Sequence, residues 1–128
     1  MEQSRIQAVD HVNIGSPFGL DDELRWFYGE VAELVEVLCD GFDPPRLCFK
    51  SGQIEIRVHL LDRPCIDPVG PRLTISVPSL TVTTEKLDER SLRYQRLTGT
   101  MYTDRRVETL DPAGNRVALK QGWPAITI

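Results

Sequence analysis

Leu110-Asp111-Pro112-Ala113-Gly114-Asn115-Arg116-Val117-Ala118-Leu119 contains a turn set between two stretches of alternating character. Pro112 presets its own φ, and Gly114 or Asn115 tolerates positive φ, so the chain is predicted to reverse between Asp111 and Asn115. Residues 101–110 and 116–121 flank this turn and are expected to pair as a hairpin.

Upstream of the hairpin, residues 92–96 read as a short strand and residues 80–90 as a threonine-weakened helix. Residues 72–77 alternate as another strand. Before them, residues 62–71 carry Pro64, Pro68, Gly70 and Pro71, the composition of an irregular connection.

The first half of the chain follows the same plan. Residues 6–14 alternate, with Ala8, Asp10, Val12 and Ile14 on one face and Val9, His11 and Asn13 on the other. Asp21 and Asp22 are placed to cap a helix on which Leu24, Phe27 and Val31 recur at helical spacing. Residues 34–39 fit either the end of that helix or a strand. After the break at residues 40–45, residues 46–50 and 53–61 form a second expected hairpin across Ser51-Gly52. In its second strand Ile54, Ile56, Val58 and Leu60 face one way, and Glu55, Arg57 and His59 the other.

Each half therefore reads as strand, helix and three strands. This predicts an α+β fold of two tandem βαβββ modules, residues 5–61 and 72–122, joined by residues 62–71 within a single domain spanning 1–128. A chain of 128 residues with 41% hydrophobic content fills one core of ordinary size.

The balance of 15 basic and 19 acidic side chains gives a net charge of −4, without a basic run to follow a phosphate backbone. Nucleic acid is not an expected partner. No apolar stretch reaches the roughly 20 residues that span a bilayer, so no membrane partner and a cytoplasmic location are expected. Cys39, Cys48 and Cys65 form no C-x-x-C pair and are expected to be reduced thiols.

Val9-Asp10-His11-Val12-Asn13-Ile14, Leu24-Arg25-Trp26-Phe27-Tyr28 and the segment from Leu110 to Leu119 occur in this order. Together they resemble the vicinal oxygen chelate superfamily, which includes glyoxalase I, bleomycin-resistance proteins, fosfomycin-resistance enzymes and extradiol dioxygenases. The resemblance implies two half-barrels of curved mixed sheet around a small-molecule pocket. It also implies that residues 34–39 are a strand. Members often dimerise, and Trp26, Phe27 and Tyr28 offer more aromatic surface than one helix buries, so a homodimer is expected, although the same aromatics could equally be core.

Metal-using members of the superfamily draw ligands from the first and last strands of each half. Carried over, the first half offers His11 and Glu55, both competent ligands for zinc, nickel, manganese or iron. In the second half Arg72 and Ala118 stand where a histidine and a glutamate are expected. Two histidines and two carboxylates carry about −2, whereas His11, Glu55, Arg72 and Ala118 sum to roughly zero. A guanidinium cannot become a ligand and adds a fixed positive charge. No metal cofactor is therefore expected, and Arg72 is expected to pair with Glu55 in its place.

The side chains expected around this position are His11, Asn13, Glu55, Arg57, Arg72 and Thr74, with His59, Ser76, Arg116 and Lys120 on the same predicted faces. They suit a small anionic or oxygen-rich ligand. The first expectation is thus a metal-free binding protein similar to the bleomycin-resistance branch. The alternative is a divalent-metal lyase, isomerase or dioxygenase using His11 and Glu55, with further ligands from His59 or a partner chain. A third arrangement has Glu55 as a catalytic base and Arg72 stabilising an oxyanion.

Overall fold

A computed structural model describes residues 11–39, 41, 44–52, 54–61, 73–98, 105–122 and 125–127. Strand β1 (His11–Ser16) leads into helix α1 (Asp21–Leu24), which continues as a π-helical segment (Arg25–Val31). Strands β2 (Val35–Val37), β3 (Leu47–Ser51) and β4 (Ile54–Leu60) complete the first half. The second half runs β5 (Leu73–Val77), α2 (Leu80–Glu89), β6 (Tyr94–Thr98), β7 (Arg105–Leu110), β8 (Arg116–Gln121) and β9 (Ala125–Thr127).

The first sheet has the order β1-β4-β3-β2 and the second β6-β7-β8-β5-β9. In each half the first strand pairs in parallel with the last strand of the βαβββ unit, while the strands between run antiparallel. This is the expected architecture of two mixed sheets, and among the described residues neither sheet closes on itself. Strand β9 was not foreseen: it adds to β5 in antiparallel register, Ile75 opposite Ile126.

Period-two alternation sends Leu47, Phe49, Ile56 and Val58 of the first sheet, and Leu73, Ile75, Val77 and Leu119 of the second, into one hydrophobic core with the helices. The helical contribution is Leu24, Trp26, Phe27, Tyr28, Val31 and Leu87. An i→i−5 bond, Ala32 N–H to the Phe27 carbonyl at 2.9 Å, closes the wide turn that buries three consecutive aromatic residues. Their rings meet edge to face, Phe27 and Tyr28 at 4.9 Å between centroids. Trp26, Phe27 and Tyr28 are thus core residues.

Several boundaries differ from the sequence-based expectation. Leu20, without a side-chain bond, occupies the N-cap position of α1. Asp21 lies inside the first turn, and its Oδ1 instead accepts a 2.7 Å bond from Arg46 Nε. A carboxylate there complements both the guanidinium and the helix N-terminus, which outweighs capping. Strand β2 is shorter than residues 34–39, because Leu34 is buried in the core while Leu38 is 93% exposed. Strand β6 starts two residues later than expected, since Leu92 packs against the core as the chain leaves α2. Residues 6–10, 72 and 101–104, which the expected strands included, lie outside the described residues.

Helix α2 is capped by Ser79, whose Oγ accepts from Val82 N–H at 3.3 Å. Its buried Thr83 and Thr84 satisfy their hydroxyls on the helix itself, donating to the Ser79 and Thr81 carbonyls.

The Asp111 turn ties the halves together. Asp111 Oδ1 accepts from the backbone N–H groups of Ala113 (2.9 Å) and Asn115 (2.8 Å). Its Oδ2 accepts from Tyr28 Oη (2.6 Å) and Asn115 Nδ2 (2.9 Å), and Asn115 Nδ2 also reaches the Gly15 carbonyl of β1 at 2.9 Å. Gly114 supplies the positive φ of the turn, 96°.

Candidate functional site

Residues that pair across neighbouring strands share a face. The register therefore brings His11 beside Glu55, Asn13 beside Arg57 and Gly15 beside His59. On the other side of β4, Lys50 lies opposite Glu55 and Cys48 opposite Arg57. All of these lie on the face opposite the one that sends Ile56 and Val58 into the core. His11, Asn13, Glu55, Arg57 and His59 are thus gathered on one face, as the alternation of β1 and β4 implied.

Two contacts organise this face. Arg57 Nε donates to Glu55 Oε2 at 3.3 Å, with the two side chains 33% and 21% exposed. His59 Nε2 lies 2.8 Å from Asn13 Oδ1. The first pairs a carboxylate with a guanidinium two residues along the same strand, where both must point the same way.

The partner expected for Glu55 was Arg72, which lies outside the described residues. The described partner is Arg57. Its place in the fold gives this substance. His11-Val12-Asn13-Ile14 corresponds to Arg72-Leu73-Thr74-Ile75, and Val12 pairs with Ile56 as Leu73 pairs with Val117. It follows that Arg57 is the counterpart of Ala118, and Arg116 the counterpart of Glu55. The position that Ala118 holds in the second half is held in the first by a cation already bound to the neighbouring carboxylate.

Thr74 lies beside Ala118, which is fully buried, and Ser76 lies beside Lys120. On the adjoining strand Glu108 pairs with Ala118 and Arg106 with Lys120. Arg106 Nε donates to Glu108 Oε2 at 3.1 Å, so the second sheet repeats the Glu-Arg pair of the first. Sequence reasoning missed Arg106 and Glu108. Their signal was the same two-residue spacing that brings Glu55 to Arg57.

Among the described residues no three His, Cys, Asp or Glu side chains are grouped so as to hold a metal ion. His11 and Glu55 are neighbours, but the Glu55 carboxylate is engaged by Arg57. The described donor set does not fit a divalent ion. A cavity of about 200 Å³ is lined by Glu108, Thr109, Leu110, Arg116 and Val117. A larger one, about 580 Å³, involves Leu80, Thr81, Arg96, Val107 and Gln121, and none of the five described residues expected to bind ligand, His11, Asn13, Glu55, Arg57 and Thr74, lines it.

No family model matches the sequence, and no curated protein matches it. Solved structures do. A glyoxalase family protein from Bacillus anthracis matches with a TM-score of 0.69 at 22% identity, covering 94% of this chain and 99% of that one. Lactoylglutathione lyase from Agrobacterium tumefaciens matches at 0.60 and 16% identity, covering 90% and 93%. A mutant of the fosfomycin resistance protein FosX from Listeria monocytogenes, complexed with Mn(II) and 1S,2S-dihydroxypropylphosphonic acid, matches at 0.69 and 12% identity, covering 89% and 91%. At these identities the likeness shows a shared fold.

Proposed function

We propose that this chain, which has the vicinal oxygen chelate fold, is a metal-free small-molecule-binding protein whose ligand is a small anionic or oxygen-rich compound. The observation that carries this reading is charge placement. By register, Lys50, Glu55 and Arg57 share the face of the first sheet turned away from the core, and Arg106, Glu108, Arg116 and Lys120 the corresponding face of the second. Among the described residues those faces hold five basic and two acidic side chains, on a chain whose net charge is −4. Such a local excess favours an anion over a cation.

The Glu55–Arg57 pair fits the same reading. Arg57 places a fixed positive charge where a dication would otherwise be drawn to the carboxylate. The guanidinium keeps donors for a carboxylate or phosphonate oxygen while Nε holds Glu55. Asn13, level with Arg57, and His11, level with Glu55, supply polar groups beside it, and Thr74 and Arg72 belong to the same proposed set. The dihydroxypropylphosphonic acid bound by the FosX mutant is an anion of this class.

The test has two arms on the full chain. Protein incubated with excess zinc, nickel, manganese and ferrous ions is desalted and analysed for metal, and metal-free protein is screened for melting shifts with phosphonates, phosphates and carboxylates. The expected result is no stoichiometric metal and a stabilising anion whose effect is lost in Arg57→Ala. Retained metal that disappears in His11→Ala would instead support a divalent-metal lyase, isomerase or dioxygenase.

A further inference from the structure

The second sheet is wider than its helix. Strands lie about 4.8 Å apart and a helix is about 10 Å across, so one helix covers roughly two strands. Helix α2 packs against β8 and against the π-helical segment of the first half. In the sheet order β7 and then β6 lie beyond β8. The first turn of α2 and the adjoining ends of β6, β7 and β8 bound the cavity of about 580 Å³.

Alternation builds its lining. Arg96 pairs with Val107, a core residue, so it lies on the side of the sheet that α2 covers in part. Arg105 precedes Val107 by two residues and returns to that side. Leu80 is fixed beside β8 by Gln121, whose Oε1 accepts the Leu80 N–H at 3.0 Å. Leu80 and Val107 supply apolar surface, and Thr81 stands exposed at the edge.

We infer that this cavity is a second ligand site, separate from the Glu55–Arg57 face, for an organic carboxylate with an apolar body. Guanidinium forks match a carboxylate in both geometry and charge. Arg96, Arg105 and Arg106 bring three positive charges to the cavity, and its described lining residues include no Asp or Glu. Glu108, which accepts from Arg106 Nε, offsets one of the three. Arg96 rests over the Tyr94 ring at 5.7 Å, a contact made through the guanidinium face. The volume is that of a drug-sized ligand site. Burial draws an apolar body onto Leu80 and Val107 while the acid stays with the arginines, whereas a bare inorganic anion leaves that apolar surface uncovered. Because Arg106 also belongs to the charged face of the second sheet, the test rests on Arg96 and Arg105.

The experiment titrates the full chain with naphthoate and with its uncharged counterpart, naphthamide, by isothermal calorimetry. Naphthoate is expected to bind, and naphthamide to bind about tenfold more weakly or worse. Arg96→Ala and Arg105→Ala are each expected to weaken naphthoate by about tenfold, and Thr81→Trp, which narrows the cavity from the helix side, to weaken it as well. Arg25→Ala removes a positive charge from the first half and is expected to leave the affinity unchanged. Two-dimensional NMR of the unsubstituted protein gives a second measurement, in which the amide signals of Leu80, Thr81, Val107 and Gln121 are expected to move during the titration. Equal binding of acid and amide, or no binding at millimolar concentration, overturns the inference. So do signal shifts confined to β1 and β4, which would assign the ligand to the first sheet.

Discussion

Tyr28 Oη donates a 2.6 Å hydrogen bond to Oδ2 of Asp111, joining two residues 83 positions apart in the chain. Tyr28 is fully buried and Asp111 nearly so, and each belongs to one of the motifs that identify the fold. The contact explains why those motifs travel together: one provides the donor and the other the acceptor at the seam between the halves.

Asp111→Ala leaves three donors without an acceptor, Tyr28 Oη and the N–H groups of Ala113 and Asn115, and leaves Asn115 Nδ2 only the Gly15 carbonyl. The expected loss is about 3 kcal/mol, read from urea unfolding. Tyr28→Phe removes one donor and keeps the ring packing, so it is expected to cost about 1–2 kcal/mol. Equal effects from the two substitutions would show that the turn contributes little beyond the tyrosine contact.

Burial first, and the Asp111 charge second, raise the ionisation of Tyr28 well above its ordinary range. A group raised in the folded state contributes its stability in full below the unfolded value, about 10, and loses it as pH climbs toward the folded value. Stability is therefore expected to fall above about pH 10. Tyr28→Phe, although less stable at neutral pH, should show a shallower alkaline decline in urea midpoints. Parallel declines would assign the alkaline loss to other groups.

Ser91 follows α2 with φ 55°, a left-handed conformation without the glycine usual at that position. Ser91→Gly is expected to raise stability by up to about 1 kcal/mol. Gly114→Ala, at φ 96°, is expected to lower it by about 1–2 kcal/mol. Melting temperatures should move in opposite directions.

Glu55 and Arg57 should affect anion affinity with opposite signs. Arg57→Ala is expected to weaken a stabilising anion by about tenfold, and Glu55→Gln, which lifts the competing carboxylate charge, to tighten it. Isothermal titration at two salt concentrations tests this, with the difference shrinking at the higher one. Weakening by both substitutions would mean that the intact pair, rather than the positive charge, holds the ligand.

The strands were legible because His11, Asn13, Glu55, Arg57 and His59 alternate with apolar neighbours, and that alternation also gave the face of the candidate site. The turn at Asp111 was legible from its proline and glycine. Register was not, since alternation fixes a face and leaves the level along the neighbouring strand open. For that reason Ala118 was not seen to be the counterpart of Arg57, nor Glu108 to lie beside Ala118. The π-helical turn was hidden because Leu24, Phe27 and Val31 fit the ordinary helical period, while the burial of Trp26 and Tyr28 depends on tertiary packing. Strand β9 is three residues long, too short for a periodic signal.

The parallel pairing of β1 with β4 also governs the order in which the chain acquires structure. Glu55 must be available before His11 has its neighbour, and Val117 before Leu73 has its own. The β3–β4 and β7–β8 hairpins need only local closure and can form early, whereas the first strand of each half waits for a long loop to close. Among the described contacts, the Tyr28–Asp111 bond spans both halves, and closing its long loop is expected to come late in folding. Substitutions there should speed unfolding more than they slow refolding.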